Sequence, residues 1–145
     1  MAKGITHITV HCSATKANQN FTAKDIDEWH KRRGFARIGY HYVITRSGEI
    51  QKGREEGATG AHVMNHNEGN LGVCLIGGVD DKGNAEDNFT LDQKAALAKL
   101  LLELLTRYTR AEILGHRDWP GVRKACPSFD VKQWWHDTVA APEVE

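Results

Sequence analysis

The sequence predicts an α/β domain: a central mixed β-sheet flanked by helices on both faces. Three observations lead there. The chain opens on an alternating strand, carries near its middle a short apolar run that suits a strand buried on both sides, and then enters a long capped helix apolar enough to belong against a sheet. The 145 residues fit one domain spanning 1–145, with a core over about 5–139, and that length buries a core without staples.

The elements follow in order. Over residues 5–12, Ile8, Val10 and Cys12 share one face while His7, Thr9 and His11 share the other, the two-residue period of a strand. Thr22 then caps a short amphipathic helix through Ile26 and Trp29 that ends near Gly34; its hydroxyl accepts an orphan backbone N–H, and Asp25 suits the positive terminus. Residues 40–45 form a second strand with Tyr40 at its opening end, and Ser47-Gly48 turns it into a hairpin with Glu49-Ile50-Gln51. Residues 71–76 are the buried central strand, followed by Gly77-Gly78.

Thr90-Leu91-Asp92-Gln93 is a capping box ahead of Leu97, Leu101, Leu104 and Tyr108 at helical spacing. A second stripe, Ala98, Leu102 and Leu105, is expected to widen the buried face. Ile113-Leu114 reads as a brief strand that delivers His116 to its C-terminal end, where function often gathers. Residues 130–139 form a last helix whose Trp134 and Trp135 pack over one sheet face.

Composition removes several classes of partner. The 19 basic and 19 acidic side chains cancel, so no global field draws the chain to nucleic acid or to an anionic membrane. Lys31-Arg32-Arg33, with Arg37 behind it, reads as a solvated helix end. Cys12, Cys74 and Cys126 are odd in number and irregular in spacing, which suits reduced thiols or a metal ligand rather than a disulfide framework. Cys12 and Cys74 fall in apolar strand patterns and read as small hydrophobes. Met1-Ala2-Lys3-Gly4 runs straight into the first strand without a signal-peptide pattern, and no run reaches transmembrane length. The expectation is a soluble protein made in the cytoplasm, without stable membrane insertion.

His11, His116 and Cys126 each end a strand or open a loop, and two imidazoles with a thiolate leave one tetrahedral position of a zinc ion open. Such an ion lowers the pKa of bound water from 15.7 to about 7 and polarises a carbonyl. Taken singly, each residue is ordinary, because a lone histidine is more often structural. A thiol and an imidazole are also the parts of a cysteine-nucleophile hydrolase, so the residues alone leave both chemistries open.

Further motifs accompany the candidate ligands: His11-Cys12-Ser13-Ala14-Thr15, Gly39-Tyr40-His41-Tyr42, Gly60-Ala61-His62, Asn70-Leu71-Gly72-Val73, Gly115-His116-Arg117-Asp118 and Lys124-Ala125-Cys126-Pro127. In this order and spacing, the chain resembles the zinc N-acetylmuramoyl-L-alanine amidases of the type-two family, above all the small lysozymes of T-seven-like bacteriophages. The resemblance implies an amidase or peptidoglycan-recognition-protein-like fold, one Zn²⁺ per chain on His11, His116 and Cys126, and a peptidoglycan substrate cut between N-acetylmuramic acid and L-alanine. It also implies catalytic roles for Tyr40 and Lys124 and a substrate contact for His62.

Elementary chemistry agrees with those roles. A poor electrophile with a poor leaving group needs both oxyanion stabilisation, which the Lys124 ammonium suits, and a proton, which the Tyr40 hydroxyl can pass. His66, beside Asn65 and Asn67, is a weaker pocket candidate, and His7, His30, His41 and His136 read as structural or solvated.

The resemblance further implies a phage or prophage endolysin, released to the periplasmic wall through a holin-made lesion, and a monomer. Some lysozymes of that branch bind their phage RNA polymerase, partly through an N-terminal extension; the short extension here counts against that partner. Two features depart from family patterns. Asp118-Trp119-Pro120-Gly121 makes the interval from His116 to Cys126 longer than in the phage lysozymes, and cysteine stands where many members have aspartate. A regulatory binding protein and a muropeptide binder that does not cut remain the rival classes.

Overall fold

The computed structural model describes residues 4–140; Met1-Ala2-Lys3 and the chain beyond 140, and with them both ends of the expected 1–145 span, lie outside the described residues. The opening strand, β1 (His7–Cys12), sits inside the sheet, hydrogen-bonded on both sides. Its neighbours are β4 (Asn70–Leu75) and β5 (Glu112–Gly115), both parallel to it. Beyond β4 lies β2 (Tyr42–Ile44), parallel, and then β3 (Ile50–Lys52), antiparallel to β2 as its hairpin partner. The order β3-β2-β4-β1-β5 is therefore the expected mixed sheet.

Alternation divides the core between two faces. Ile8, Val10, Tyr42, Ile44, Leu71, Val73 and Leu75 meet Leu97, Leu100, Leu101 and Leu104 of α2 (Leu91–Arg107) on one face. Trp134 and Trp135 of α3 (Val131–Ala140) pack against the same cluster. On the opposite face, Val43, Cys74 and Ile76 meet Ile26 and Trp29 of α1 (Ala23–Arg32). Each fully buried aliphatic side chain contributes about 1.5–3 kcal/mol.

The caps form as the sequence predicts, and each does more than end a helix. Thr22 and Asp25 exchange hydrogen bonds at the start of α1, as Thr90 and Gln93 do at α2. The Gln93 amide also donates to the carbonyls of Ile44 and Ile76 at 3.2 and 2.8 Å, fastening α2 to the ends of two strands.

The second stripe on α2 is a correction. Leu102 is 54% exposed, and Ala98 and Leu105 are only partly buried. At 3.6 residues per turn, Leu102 lies roughly 130° around the helix from the centre of the Leu97, Leu101 and Leu104 stripe. The buried face widens the other way, to Leu100 and Gln93. The second strand is also shorter than expected: Tyr40 precedes it, in the connection from α1.

Candidate metal centre

The parallel pairing of β1 with β5 brings their C-terminal ends side by side. His11, near the end of β1, points away from Ile8 and Val10 and is 1% exposed. His116 is the first residue after β5, in a single 3₁₀ turn that the Asp118 carboxylate closes by accepting from the Gly115 N–H at 2.8 Å. The two imidazoles lie with ring centroids 4.4 Å apart.

Cys126 reaches the same point from the far end of the loop that His116 begins. The Arg117 N–H donates to the Cys126 carbonyl at 2.9 Å, and the Cys12 N–H donates to the Cys126 sulfur at 3.1 Å. One ligand atom from each of His11, His116 and Cys126 lies within 4.8 Å of the others, and this is the one such group of three among the described residues. Small side-chain movements would bring donors at that spacing within reach of a single metal ion, at about 2.0–2.3 Å for zinc.

Hydrogen bonds settle which nitrogen of His11 is available. His62 Nε2 lies 2.8 Å from the Asn70 carbonyl, which can only accept, so Nε2 carries the proton and Nδ1 the lone pair. His62 Nδ1 lies 2.9 Å from His11 Nε2, so His11 Nε2–H is the donor. The lone pair of His11 therefore sits on Nδ1, oriented by the kind of outer partner that metal-bound histidines have.

The relay requires neutral rings. Burial pushes His62 down to about 4 and His11 well below its ordinary value, where the neighbouring His62 and His116 charges push the same way. His116 is lowered by burial and then by the Lys124 ammonium. Both histidines are thus in the ligand form. Without an ion, the hydrogen bond with the Cys12 thiol, and then burial, push the Cys126 thiol up; a bound cation reverses that balance and stabilises the thiolate.

The other expected site residues border this centre. The Tyr40 ring lies 4.9 Å from the His11 ring, its hydroxyl meets the Cys74 sulfur, and burial raises it well above the ordinary phenol range, so it stays a neutral phenol. Lys124 is exposed, and its charge reaches both His11 and His116. Beside Tyr40 opens a cavity of about 230 Å³, lined by Cys12, Ser13, Ile26, Trp29, His30, Arg33 and Tyr40. Cys74 is a buried apolar residue as read, whereas Cys12, also buried, touches Cys126 and so borders the candidate metal centre. His30 and His41 are structural: each accepts a backbone N–H on Nδ1, from Gly39 and Gly72 respectively.

Sequence reasoning missed the surroundings of His62 and Trp119. The Trp119 indole donates to the Thr9 hydroxyl at 3.0 Å and stacks on His66 at 4.6 Å. These contacts join loops to a strand some 110 residues away in one case, so no local pattern announces them.

A mixed α/β sheet that brings two neutral imidazoles together at the ends of parallel strands, with a loop thiol beside them, defines a class of proteins with a three-donor site that could hold a metal ion. The chain belongs to the N-acetylmuramoyl-L-alanine amidase family, which it matches over residues 1–129. It is 47% identical over 128 residues to the endolysin of Escherichia phage T7, covering 88% of this chain and 83% of that protein. It is similar to the structure of the N-acetylmuramoyl-L-alanine amidase LysC from Clostridium intestinale URNW, with 26% identity and a TM-score of 0.77 over 96% of this chain and 88% of that one. Drosophila peptidoglycan recognition protein SD shares the fold at 21% identity, with a TM-score of 0.75 over 94% of this chain and 82% of that one.

Proposed function

We propose that this protein is a zinc-dependent amidase that cleaves the amide between N-acetylmuramic acid and L-alanine of bacterial peptidoglycan, as a phage or prophage endolysin. The observation that carries this reading is the convergence of His11, His116 and Cys126, with the His11 tautomer already set by His62. Zinc on these three residues would supply a Lewis acid for the scissile carbonyl and acidify water.

The chain's own groups supply the remaining chemistry. The Lys124 ammonium, whose charge reaches His11 and His116, would stabilise negative charge developing on the carbonyl oxygen. Tyr40, a neutral phenol beside His11, delivers a proton toward the departing nitrogen. Both ring nitrogens of His62 are engaged, so a substrate contact at His62 would be made through the face or edge of the ring. No helix among the described residues is long and apolar enough to cross a membrane, and an endolysin of this kind reaches the wall through a lesion made by another protein.

The test is a digest of purified peptidoglycan, analysed by mass before chelation, after zinc removal and after zinc is restored. Free peptides beginning at L-alanine, lost with chelation and regained with zinc, are the expected result. Intact peptidoglycan with zinc bound would favour a binder that does not cut.

A further inference from the structure

The loop from His116 to Cys126 contributes two of the three candidate ligands, yet Pro120, Gly121, Arg123, Lys124 and Ala125 within it are all exposed. Held only at its ends, such a segment samples many arrangements of His116 relative to Cys126 and loses that freedom when a metal binds. The structure shows what restrains its middle. The Trp119 carbonyl accepts from the Val122 N–H at 3.2 Å, which closes a turn, and the Trp119 indole N–H donates to Thr9 Oγ1 at 3.0 Å.

Thr9 is not an ordinary strand hydroxyl. It is fully buried on the same face of β1 as His11, two residues away, and its own proton goes to Asn70 Oδ1 at 2.8 Å. Asn70 is 2% exposed; its amide donates to the His66 carbonyl, and its carbonyl takes the His62 Nε2 proton. His62 in turn fixes His11. Trp119 is thus tied through buried Thr9 and Asn70, and then half-buried His62, to the strand candidate ligand, and along its own loop to the other two.

We propose that Trp119 is a positioning residue for the metal centre: its indole N–H fastens the His116–Cys126 loop to β1 and sets the spacing of the ligands before an ion arrives. This rests on reading His11, His116 and Cys126 as the ligands. Linked hydrogen bonds reinforce one another, so loss of the indole N–H loosens the Thr9 and Asn70 side-chain bonds behind it, and with them the residue whose backbone carbonyl holds His62. The stacking of His66 on the indole, and the tilted contact of His7 with it at 4.9 Å, belong to the ring and survive any substitution that keeps an aromatic ring.

The N–H is therefore tested separately from the ring. Trp119→Phe keeps a ring and removes the donor; Thr9→Val removes the acceptor from the other side; Thr9→Ser keeps it. Each full-length variant is checked for folding by circular dichroism, its zinc affinity is measured by competition with a chromophoric chelator, and the visible spectrum of its Co²⁺ form is recorded.

We expect Trp119→Phe and Thr9→Val each to weaken zinc binding about tenfold and to shift the cobalt bands, the usual scale for loss of an outer partner. The double variant should lose little more than either single one, and Thr9→Ser should bind as the parent does. Parental affinity and an unchanged cobalt spectrum in folded Trp119→Phe, or additive losses in the double variant, would overturn the assignment. Failure of the underlying ligand reading looks different: His116→Ala would then bind zinc as tightly as the parent, and the role of Trp119 would fall with it.

Discussion

Replacing Gly72 by alanine should loosen the metal centre without touching any residue that faces an ion. Gly72 lies in the middle of β4, and a Cβ built there meets the His62 ring at 2.7 Å from Cγ, 2.8 Å from Nδ1 and 2.9 Å from Cδ2. Carbon contacts are comfortable at about 3.5–4.0 Å, so the ring must withdraw by roughly 0.8 Å. His62 Nδ1 now lies 2.9 Å from His11 Nε2; after such a shift the pair falls outside hydrogen-bonding distance. Forcing a methyl into a packed interior costs about 1–3 kcal/mol and the lost hydrogen bond about 1 kcal/mol more. For a chain of this size the sum corresponds to a fall in Tm of roughly 6–15 °C, and zinc affinity should drop about 10–100-fold.

Calorimetry and chelator competition measure the two effects. A double-mutant cycle assigns their cause: with the ring already removed in His62→Ala, the added methyl has space, and Gly72→Ala should cost little further in either readout. Unchanged Tm and zinc affinity in Gly72→Ala, or equal costs with and without the His62 ring, would refute the argument.

Other perturbations separate binding from turnover and the site from the scaffold. Lys124→Ala should retain zinc but lose about 10²–10³-fold in kcat, the scale for removal of one oxyanion-stabilising group; near-parental turnover would remove Lys124 from the mechanism. Cys126→Ser should weaken zinc binding because a serine hydroxyl does not readily ionise, and an unchanged affinity in a metal titration would point to another third ligand. Glu56 gives a pH dependence remote from the site. Burial alone would raise its carboxyl, but hydrogen bonds from Tyr108, Tyr42 and Arg107 prevail and hold it below its ordinary value. The sign follows: its contribution is complete above the unfolded value of about 4.3 and is lost as pH falls from there through the lowered folded value. Urea unfolding across that range should be less stable at low pH for the parent and flatter for Glu56→Gln; parallel curves would sink the assignment.

The parts of the site legible in the sequence are those that a local period controls. Alternation along β1 puts His11 on the face opposite Ile8 and Val10, and the brief strand before His116 places that histidine at a strand end. Once β1 and β5 pair in parallel, the two donors must lie together. The two capping boxes were legible for the same reason, since each joins residues three apart. Leu102 went the other way because a stripe was extended past the angle at which the helix turns toward solvent.

What was not legible joins side chains to partners that no period relates. His62 reads from the sequence as a pocket histidine, and only the Asn70 carbonyl on one side and His11 on the other show that it decides a tautomer. Trp119 is the sharper instance. Asp118-Trp119-Pro120-Gly121 stands out, against the family that the chain resembles, as extra length between two candidate ligands, and added length by itself loosens a loop. In the structure the same segment carries the indole that binds the loop to β1, so the residues that lengthen the connection also supply its restraint. A shorter loop has less freedom to remove and less need of such a bond. On that argument the extra residues and Trp119 belong together, and in a variant whose loop is shortened, replacing the tryptophan should cost less zinc affinity in chelator competition than the same replacement costs in the parent.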